Sequence, residues 1–212
     1  MFDPPPGYLD LIGDAETAPF SERFEPLVVA EVGVLTARRP MPSGLADLAM
    51  AANPEVADVD RSDYLVRFAQ DHLHDGELER VYVAMMAGDA PADSIERIAR
   101  AIATWGTARP YLAVVTLAVM VGHHWRTIRT KLVQSGVHDP MSLKNMHILL
   151  DTIEAAVLEA MSGDRDSETR RRVFLDRLYS PLSDPHAPAG PPPGFSDDDT
   201  EAAFDAFAAA AR

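Results

Sequence analysis

Apolar residues are most concentrated over Tyr111–Gln134, a stretch that predicts a helix at the centre of the fold. Its first half is apolar on nearly every side. Its second half keeps one apolar stripe, formed by Val121, Trp125, Ile128 and Leu132 at spacings that place them on one helix face. A helix that is apolar all round is either buried or membrane-inserted, and the unbroken apolar run is shorter than the roughly 20 residues that a bilayer requires. We therefore expect a mainly α protein, a helical bundle around a central helix at 111–134.

Apolar residues also recur at spacings of three and four on both sides of this segment, which predicts further helices. Asp93-Ser94-Ile95-Glu96 resembles a capping box at one helix start. Asp139-Pro140 marks another start, because an N-cap acid followed by proline suits a first turn. The predicted helices are 43–52, 62–73, 75–86, 93–105, 141–161 and 167–178.

The valine-rich segment 24–39 fits two structures. Its side chains alternate along Val28–Leu35 and are interrupted at Gly33, which favours a short β-hairpin. A helix over Val28–Arg38 accounts for the same residues nearly as well. We therefore expect a short N-terminal hairpin, with a helix as the alternative.

Neither end of the chain shows a long apolar period. Residues 1–22 contain three successive prolines and scattered acids, which predicts an extended or disordered arm. The proline-rich segment 183–194 predicts a linker. Beyond it, 196–212 is acidic and alanine-rich, and Phe204 and Phe207 lie on one face of a short predicted helix. An isolated helix of this length is marginal in water, so it either frays or docks its phenylalanines onto another surface.

The chain has 212 residues, enough for one or two domains with a hydrophobic core. The patterns above divide it into four parts: an extended arm (1–22), an N-terminal helical subdomain with the hairpin (23–108), a C-terminal helical subdomain (109–180), and a proline-rich linker with a short acidic helix (181–212).

The formal net charge of −14 narrows the classes of function. Phosphate binding needs a basic surface, so this charge argues against nucleic acid as a partner and against docking on anionic membranes. Cysteine is absent, so disulfides, thiolate metal sites and cysteine nucleophiles are excluded. The first residues lack the basic and apolar regions of a secretory signal. We expect a cytoplasmic protein whose charge favours solubility and basic protein partners.

The adjacent His123 and His124 form the most chemically suggestive pair in the sequence. Neighbouring residues on a helix point about 100° apart, so the two cannot chelate one metal ion together. The positions four residues further on are Thr127 and Ile128, which excludes an H-E-x-x-H zinc helix. Partly buried histidines that pair with the backbone or with nearby acids are the simpler interpretation, and a catalytic role is the alternative.

Other charged clusters have structural interpretations. Arg170–Arg172 form a basic run in acidic surroundings, which favours salt bridges or solvated surface over an anion site. Asp151 and Glu154 fit a solvated helix face. Phosphate-binding glycine loops and a G-x-S-x-G nucleophile elbow do not occur in the sequence. The residues alone therefore predict a non-enzymatic binding, scaffolding or chaperone-like protein without catalytic, metal or cofactor sites.

Four stretches of the sequence carry a family resemblance. The first two are RPMPSGLADLAMAANPEVADVDRSDYLVRFAQDHLHDGELERVYVAMMAGDAP and IERIARAIATWGTARPY. The others are HHWRTIRTKLVQSGVHDPMSLKNMHILLDTIEAAVLEAM and the ending GFSDDDTEAAFDAFAAAAR. Together they cover most of 39–212 and resemble tail assembly chaperones of long-tailed, siphovirus-type phages that infect actinobacteria.

This resemblance implies a non-enzymatic role in building the phage tail. Such chaperones coat the long, helical, aggregation-prone tape-measure protein in the host cytoplasm, help to recruit tail-tube protein, and are absent from the finished virion. Many are made in two lengths by a programmed ribosomal frameshift, so this chain would be the short form. The longer product and a second copy of the chain are then further expected partners. A tape measure exposes apolar helix faces, so we expect contacts through helix faces of the bundle and through Phe204 and Phe207.

Two other functions stay open at this point. The first is a structural minor tail or head–tail component that is retained in the virion. The second is a small helical enzyme that uses His123 or His124. Purified particles distinguish the first from a chaperone, because a structural component is present in them in stoichiometric amount.

Overall fold

A computed structural model of the protein describes residues 4, 6–17, 23–162 and 167–179. Within these residues the chain forms eight α-helices, a two-stranded antiparallel hairpin and a 3-10 turn at Pro140–Ser142, which confirms the prediction of a mainly α fold. In chain order the elements are α1 (Pro6–Glu16), β1 (Glu25–Val29), β2 (Gly33–Ala37), α2 (Gly44–Ala51), α3 (Asp58–His72), α4 (Glu77–Ala87), α5 (Ser94–Ala103), α6 (Tyr111–Gln134), α7 (Met146–Ala160) and α8 (Ser167–Tyr179).

The helix α6 is central, as its apolar sequence predicts. It contacts α1, α2, α5, α7 and α8. Fully buried side chains occur along both of its halves, including Val114, Leu117 and Trp125. The helical backbone is interrupted at His124, where φ is −120° and ψ is 17°. The interruption lies in the second half of α6, close to the point where the first half, apolar on nearly every side, ends and the single apolar stripe begins.

Local signals set both ends of α6. Pro110 has φ −65° and an extended ψ of 151°, so it leads into the first turn without losing a hydrogen bond. Gly136 is left-handed with φ 92°. The backbone N–H of Val137 donates to the carbonyl of Leu132 at 2.9 Å, which completes a Schellman motif. The bounds of the helix are those predicted from the sequence.

The first segment of the chain differs from its prediction. An extended or disordered arm was expected over 1–22, and this is wrong for α1, whose Tyr8 and Leu11 are fully buried. The helix packs on α6 at two glycines, Gly7 and Gly122. A Cβ added to Gly7 would lie 2.5 Å from the Gly122 carbonyl oxygen, and one added to Gly122 would lie 2.5 Å from the Tyr8 ring. The two backbones therefore meet where neither carries a side chain.

Polar contacts also hold α1 on α6. The indole N–H of Trp125 donates to Asp14 Oδ2 at 2.7 Å, and Arg129 Nε lies 3.1 Å from the same oxygen. Arg126 pairs with Asp10 one turn earlier along α1. Acids of the N-terminal helix thus face the arginines of the central helix.

The valine-rich segment forms the hairpin, so the helical alternative is wrong. Leu27 pairs with Leu35 and Val28 pairs with Val34 across the two strands. Because successive side chains alternate between faces, the leucines point to the core and the valines point outward. Glu31 adopts a left-handed φ of 64° in the connecting turn.

The predicted helix 141–161 is two elements instead of one. Asp139 caps only the 3-10 turn, where its Oδ1 accepts the N–H of Met141 at 3.2 Å. The start of α7 is set by Asn145, whose Oδ1 accepts the N–H of Ile148 at 3.0 Å. The N-cap of the long helix is therefore six residues later than the sequence signal at Asp139.

The described residues belong to one compact unit, Met1–Ser180. One cluster of buried side chains runs through it, from Leu27 and Ile98 to Leu117 and Ile153. The subdomain boundary predicted at residue 108 stays a prediction. The predicted linker and acidic helix at 181–212 lie outside the described residues.

Candidate functional site

The buried His72 is a structural histidine. Its Nδ1–H donates to the carbonyl of Phe68 at 2.7 Å, and its Nε2 accepts the backbone N–H of Met41 at 3.0 Å. Burial lowers the pKa of His72 from 6.5 to about 4, because the charged imidazolium is poorly solvated there. Both ring nitrogens are engaged by the backbone, so this neutral ring ties α3 to the segment before α2.

The histidine pair of α6 lies at the surface of the described part of the chain. Both rings are exposed, with centroids 6.3 Å apart, and His123 packs edge-on against Tyr8 at 5.2 Å. The interpretation of the pair as partly buried is therefore wrong. Among the described residues no three His, Asp or Glu side chains gather closely enough to hold a metal ion.

A polar network at the start of α6 was not predicted. Arg109, whose side chain is 9% exposed, lies 2.6 Å from Glu154 and 2.7 Å from Asp151 of α7. Tyr179 of α8 donates its hydroxyl hydrogen to Glu154 at 2.6 Å. Burial opposes the guanidinium charge, but the hydrogen bonds that Arg109 donates to these carboxylates hold its pKa above the usual range. The network locks α7 and α8 to the central helix, and the prediction of a solvated face at Glu154 is wrong.

The basic run Arg170–Arg172 lies on the surface of α8. Arg172 is largely exposed, and its Nε lies 3.8 Å from Asp176 one turn further on. This pairing agrees with the prediction of salt bridges to the chain's own acids. Exposed pairs of this kind contribute little to stability.

The helix α4 leaves three apolar side chains partly uncovered on its outer side. Val81 is its buried residue. On its outer side Tyr82 is 37% exposed, Val83 56% and Met86 80%. In the sequence, Leu78, Val81, Tyr82 and Met85 have the spacing of a single apolar stripe. The structure divides the apolar residues between an inner face and an outer face.

The first turn of α4 holds the helix to the edge of β2 that is not paired with β1. Glu77 Oε1 accepts the N–H of Thr36 at 3.0 Å, and Arg80 Nη2 donates to the carbonyl of Val34 at 3.0 Å. These side chains satisfy backbone groups of an edge strand that would otherwise be open to pairing. The outer face of the second half of α4 is left to solvent.

A groove of about 430 Å³ lies between the end of α3 and the outer face of α4. We call it the α4 groove. Its walls include Leu73, Asp75, Glu79, Tyr82, Val83 and Met86. Apolar side chains share the lining with the polar Gln70 and His74, and the carboxylates among the described lining residues are Asp75 and Glu79. Such a groove suits the apolar face of an amphipathic helix.

A second groove, of about 260 Å³, lies between α6 and α7. We call it the α6–α7 groove. It is lined by Met120, Ile128, Val157 and Met161, with Lys131 as its charged residue among those described. Methionine adapts its shape to different partners, so this groove also suits an apolar protein segment, with the opposite charge at its rim.

The fold and these surfaces define a class of protein. An acidic helical body with two apolar grooves, and with no gathered metal-ligating set in the described residues, is typical of a protein-binding module. No helix in the described ranges combines the length and the apolar character needed to cross a bilayer.

Comparison with known proteins then identifies the family. A family model described as phage tail assembly chaperone protein matches residues 1–110, more than half of the chain, and the protein belongs to this family. A second model, of a family of unknown function, matches residues 120–212. Searches of the curated proteins and of the solved structures give no match. The α4 groove lies within the part matched by the chaperone family, and the α6–α7 groove lies within the part matched by the second family.

The two residues predicted to bind a partner, Phe204 and Phe207, lie outside the described residues and stay a prediction. Sequence reasoning missed the α4 groove. The signal was present in the run VYVAMMA at 81–87, which is apolar on more sides than one core face requires.

Proposed function

We propose that this tail assembly chaperone is a non-catalytic protein that binds the tape-measure protein before the tail tube encloses it. The proposal is supported by the family of the chain and by the apolar outer face of α4, which has no covering element among the described residues. The resemblance of the sequence to chaperones of siphovirus-type actinobacteriophages indicates the kind of tail. Binding takes place in the host cytoplasm, and the protein is absent from the mature virion.

The physical requirement on such a chaperone is twofold. A tape-measure protein presents apolar helix faces that aggregate unless they are covered. The protein that covers them must offer apolar surface of its own and still remain soluble. The two grooves supply the apolar surface, and the net charge of −14 supplies the solubility.

Further partners follow from the same role. Tail-tube protein joins the complex as the tube polymerises around the tape measure. A longer frameshift product of the same gene and a second copy of the chain are additional partners in the holding complex. Phe204 and Phe207 extend the apolar contact surface.

Co-expression with fragments of the tape-measure protein, followed by pull-down on tagged chaperone, tests the proposal. We expect fragments with amphipathic helices to be retained and to be insoluble when expressed alone. Retention of no fragment, together with full-length tails after deletion of the gene, would overturn the proposal.

Mass spectrometry of purified particles tests the alternative of a structural minor tail or head–tail component. A chaperone is missing from particles, and a structural component is present in stoichiometric amount. A variant with both His123→Ala and His124→Ala that supports normal tail assembly disposes of the enzymatic alternative, because that mechanism needs one of the two imidazoles.

A further inference from the structure

The α4 groove combines exposed apolar side chains with a fixed geometry. Glu79, Tyr82, Val83 and Met86 recur at spacings of three, one and three, which places them on one side of the helix. Leu73, at the end of α3, also lines the groove. This side of α4 is therefore a ready-made apolar surface with an acid at one end.

The helix that bears this surface has little other support. An isolated helix of 11 residues is marginal in water. Contacts of Glu77 and Arg80 with β2 hold its first turn, and Val81 anchors its inner face. Val83 and Met86 contribute little to holding α4 in place because more than half of each residue is exposed, and Tyr82 also leaves 37% of its surface uncovered.

The charges around the groove select among partners. Asp75 and Glu79 are the charged side chains that line it among the described residues. Arg80, the one basic residue in the sequence of α4, is directed to β2, where it pairs with Glu77 and with the Val34 carbonyl. An acidic partner is repelled by this lining. A second copy of this chain, with its formal net charge of −14, is such a partner.

We propose that the α4 groove binds an amphipathic helix whose apolar stripe is flanked by lysine or arginine. The stripe packs on Tyr82, Val83 and Met86, and the basic flank faces Asp75 and Glu79. This inference rests on the proposed function, for which it supplies the client-binding surface. The α6–α7 groove, with Lys131 at its rim, does not fit the same helix.

The first test measures binding of a labelled 18-residue peptide with a leucine stripe and lysine flanks to the full chain, by fluorescence anisotropy. A peptide with the same leucine stripe and glutamate flanks is the charge control. We expect the lysine peptide to bind at least about tenfold more tightly than the glutamate peptide, with an affinity that falls as salt increases. Equal affinities, or no binding of the lysine peptide, would overturn the proposal.

The second test locates the site on the chain. Two variants remove apolar side chains from the groove: Tyr82→Ala, and the double variant Val83→Ala with Met86→Ala. Each is expected to lower the affinity for the lysine peptide by about tenfold or more. The matched control combines Val59→Ala on α3 with Val173→Ala on α8, which removes similarly exposed valines elsewhere. The substituted valines and Met86 are 44% to 80% exposed, so these variants are expected to retain the fold. Tyr82 is 37% exposed, so circular dichroism and a urea titration verify that Tyr82→Ala is folded. Equal affinities of α4 variants and control variants would place the peptide elsewhere and contradict the proposal.

Charge reversal completes the test. Glu79→Lys in the groove is expected to weaken binding of the lysine peptide and to strengthen binding of the glutamate peptide. Glu168→Lys on α8 is expected to leave the ratio of the two affinities unchanged. The same variants in the tape-measure pull-down separate the two proposals. If wild type and α4 variants retain the tape-measure fragment equally, the chaperone function stands and the α4 groove is the wrong site. If wild type retains no fragment, the proposed function itself fails.

Discussion

Replacing Gly7 by alanine tests whether α1 is held on α6 by direct contact between their backbones. The added Cβ would lie 2.5 Å from the Gly122 carbonyl oxygen and 3.0 Å from that of His123. Ordinary van der Waals contact begins at 3.4 Å, so α1 must move by about 1 Å. Both opposing atoms belong to the backbone of a packed helix and cannot rotate away.

The expected cost follows from two opposing effects. Overpacking of this kind costs about 1–3 kcal/mol. Exchanging glycine for alanine in a helix stabilises the folded state by about 0.4–1 kcal/mol, because the unfolded chain loses conformational entropy. We therefore expect Gly7→Ala to lower the free energy of unfolding by about 1–2 kcal/mol. That loss corresponds to about 2–4 °C in Tm for each kcal/mol in a chain of this size.

The same helix contains a matched control. A Cβ added to Gly13 meets nothing within 4 Å, so Gly13→Ala is expected to raise the free energy of unfolding by about 0.5–1 kcal/mol. Urea titration followed by circular dichroism measures both changes. Emission of Trp125 reports release of α1, because its indole N–H donates to Asp14. If Gly7→Ala also raises the stability, the proposed backbone contact is refuted.

Three further predictions concern the body of the protein. Arg109→Ala removes the cation from the largely buried Glu154, which keeps only its hydrogen bond from Tyr179, and lowers the free energy of unfolding in urea titrations by about 3 kcal/mol. Arg100→Ala breaks an exposed pair and costs less than about 1 kcal/mol; equal losses contradict the buried network. The stability of the wild type relative to a His72→Gln variant rises by up to about 3 kcal/mol between pH 4 and 6.5, because the unfolded chain binds a proton at His72 there and the folded chain does not. A difference that does not vary with pH argues against a buried neutral ring. Leu117→Ala leaves a cavity and lowers the free energy of unfolding, measured by thermal unfolding, by about 2–5 kcal/mol. Val133→Ala, at an exposed position of the same helix, lowers it by less than about 1 kcal/mol. Similar losses for the two variants contradict the central burial of α6.

The sequence predicts best those features that neighbouring residues determine. Pro110 and Gly136 set the ends of α6 through their own backbone preferences, so both ends were predictable. The start predicted near Asp93 is also observed, but its side chain does not cap α5 and instead pairs with Arg97 at 2.8 Å. The position of a helix end was thus easier to predict than the contact that stabilises it.

Features that depend on distant residues were missed. The burial of α1 depends on Gly122 and Trp125, more than 100 positions later in the chain, and its own glycines and prolines obscure the spacing of Tyr8 and Leu11. The Arg109 network joins residues up to 70 positions apart. Helical periodicity identified α4, but a periodic pattern cannot indicate whether a second apolar face is covered. The candidate site was therefore recognisable only after the neighbours of α4 were known.

Suppression of tape-measure aggregation is the most direct measurement of the central claim. Light scattering of the freshly diluted tape-measure protein is followed as this chain is added at increasing molar ratio. If the chain holds exposed helix faces, scattering falls and reaches its minimum near a fixed stoichiometry, and the two proteins elute together from a sizing column. Scattering that is unchanged by excess chain, with the two proteins eluting separately, would contradict the account.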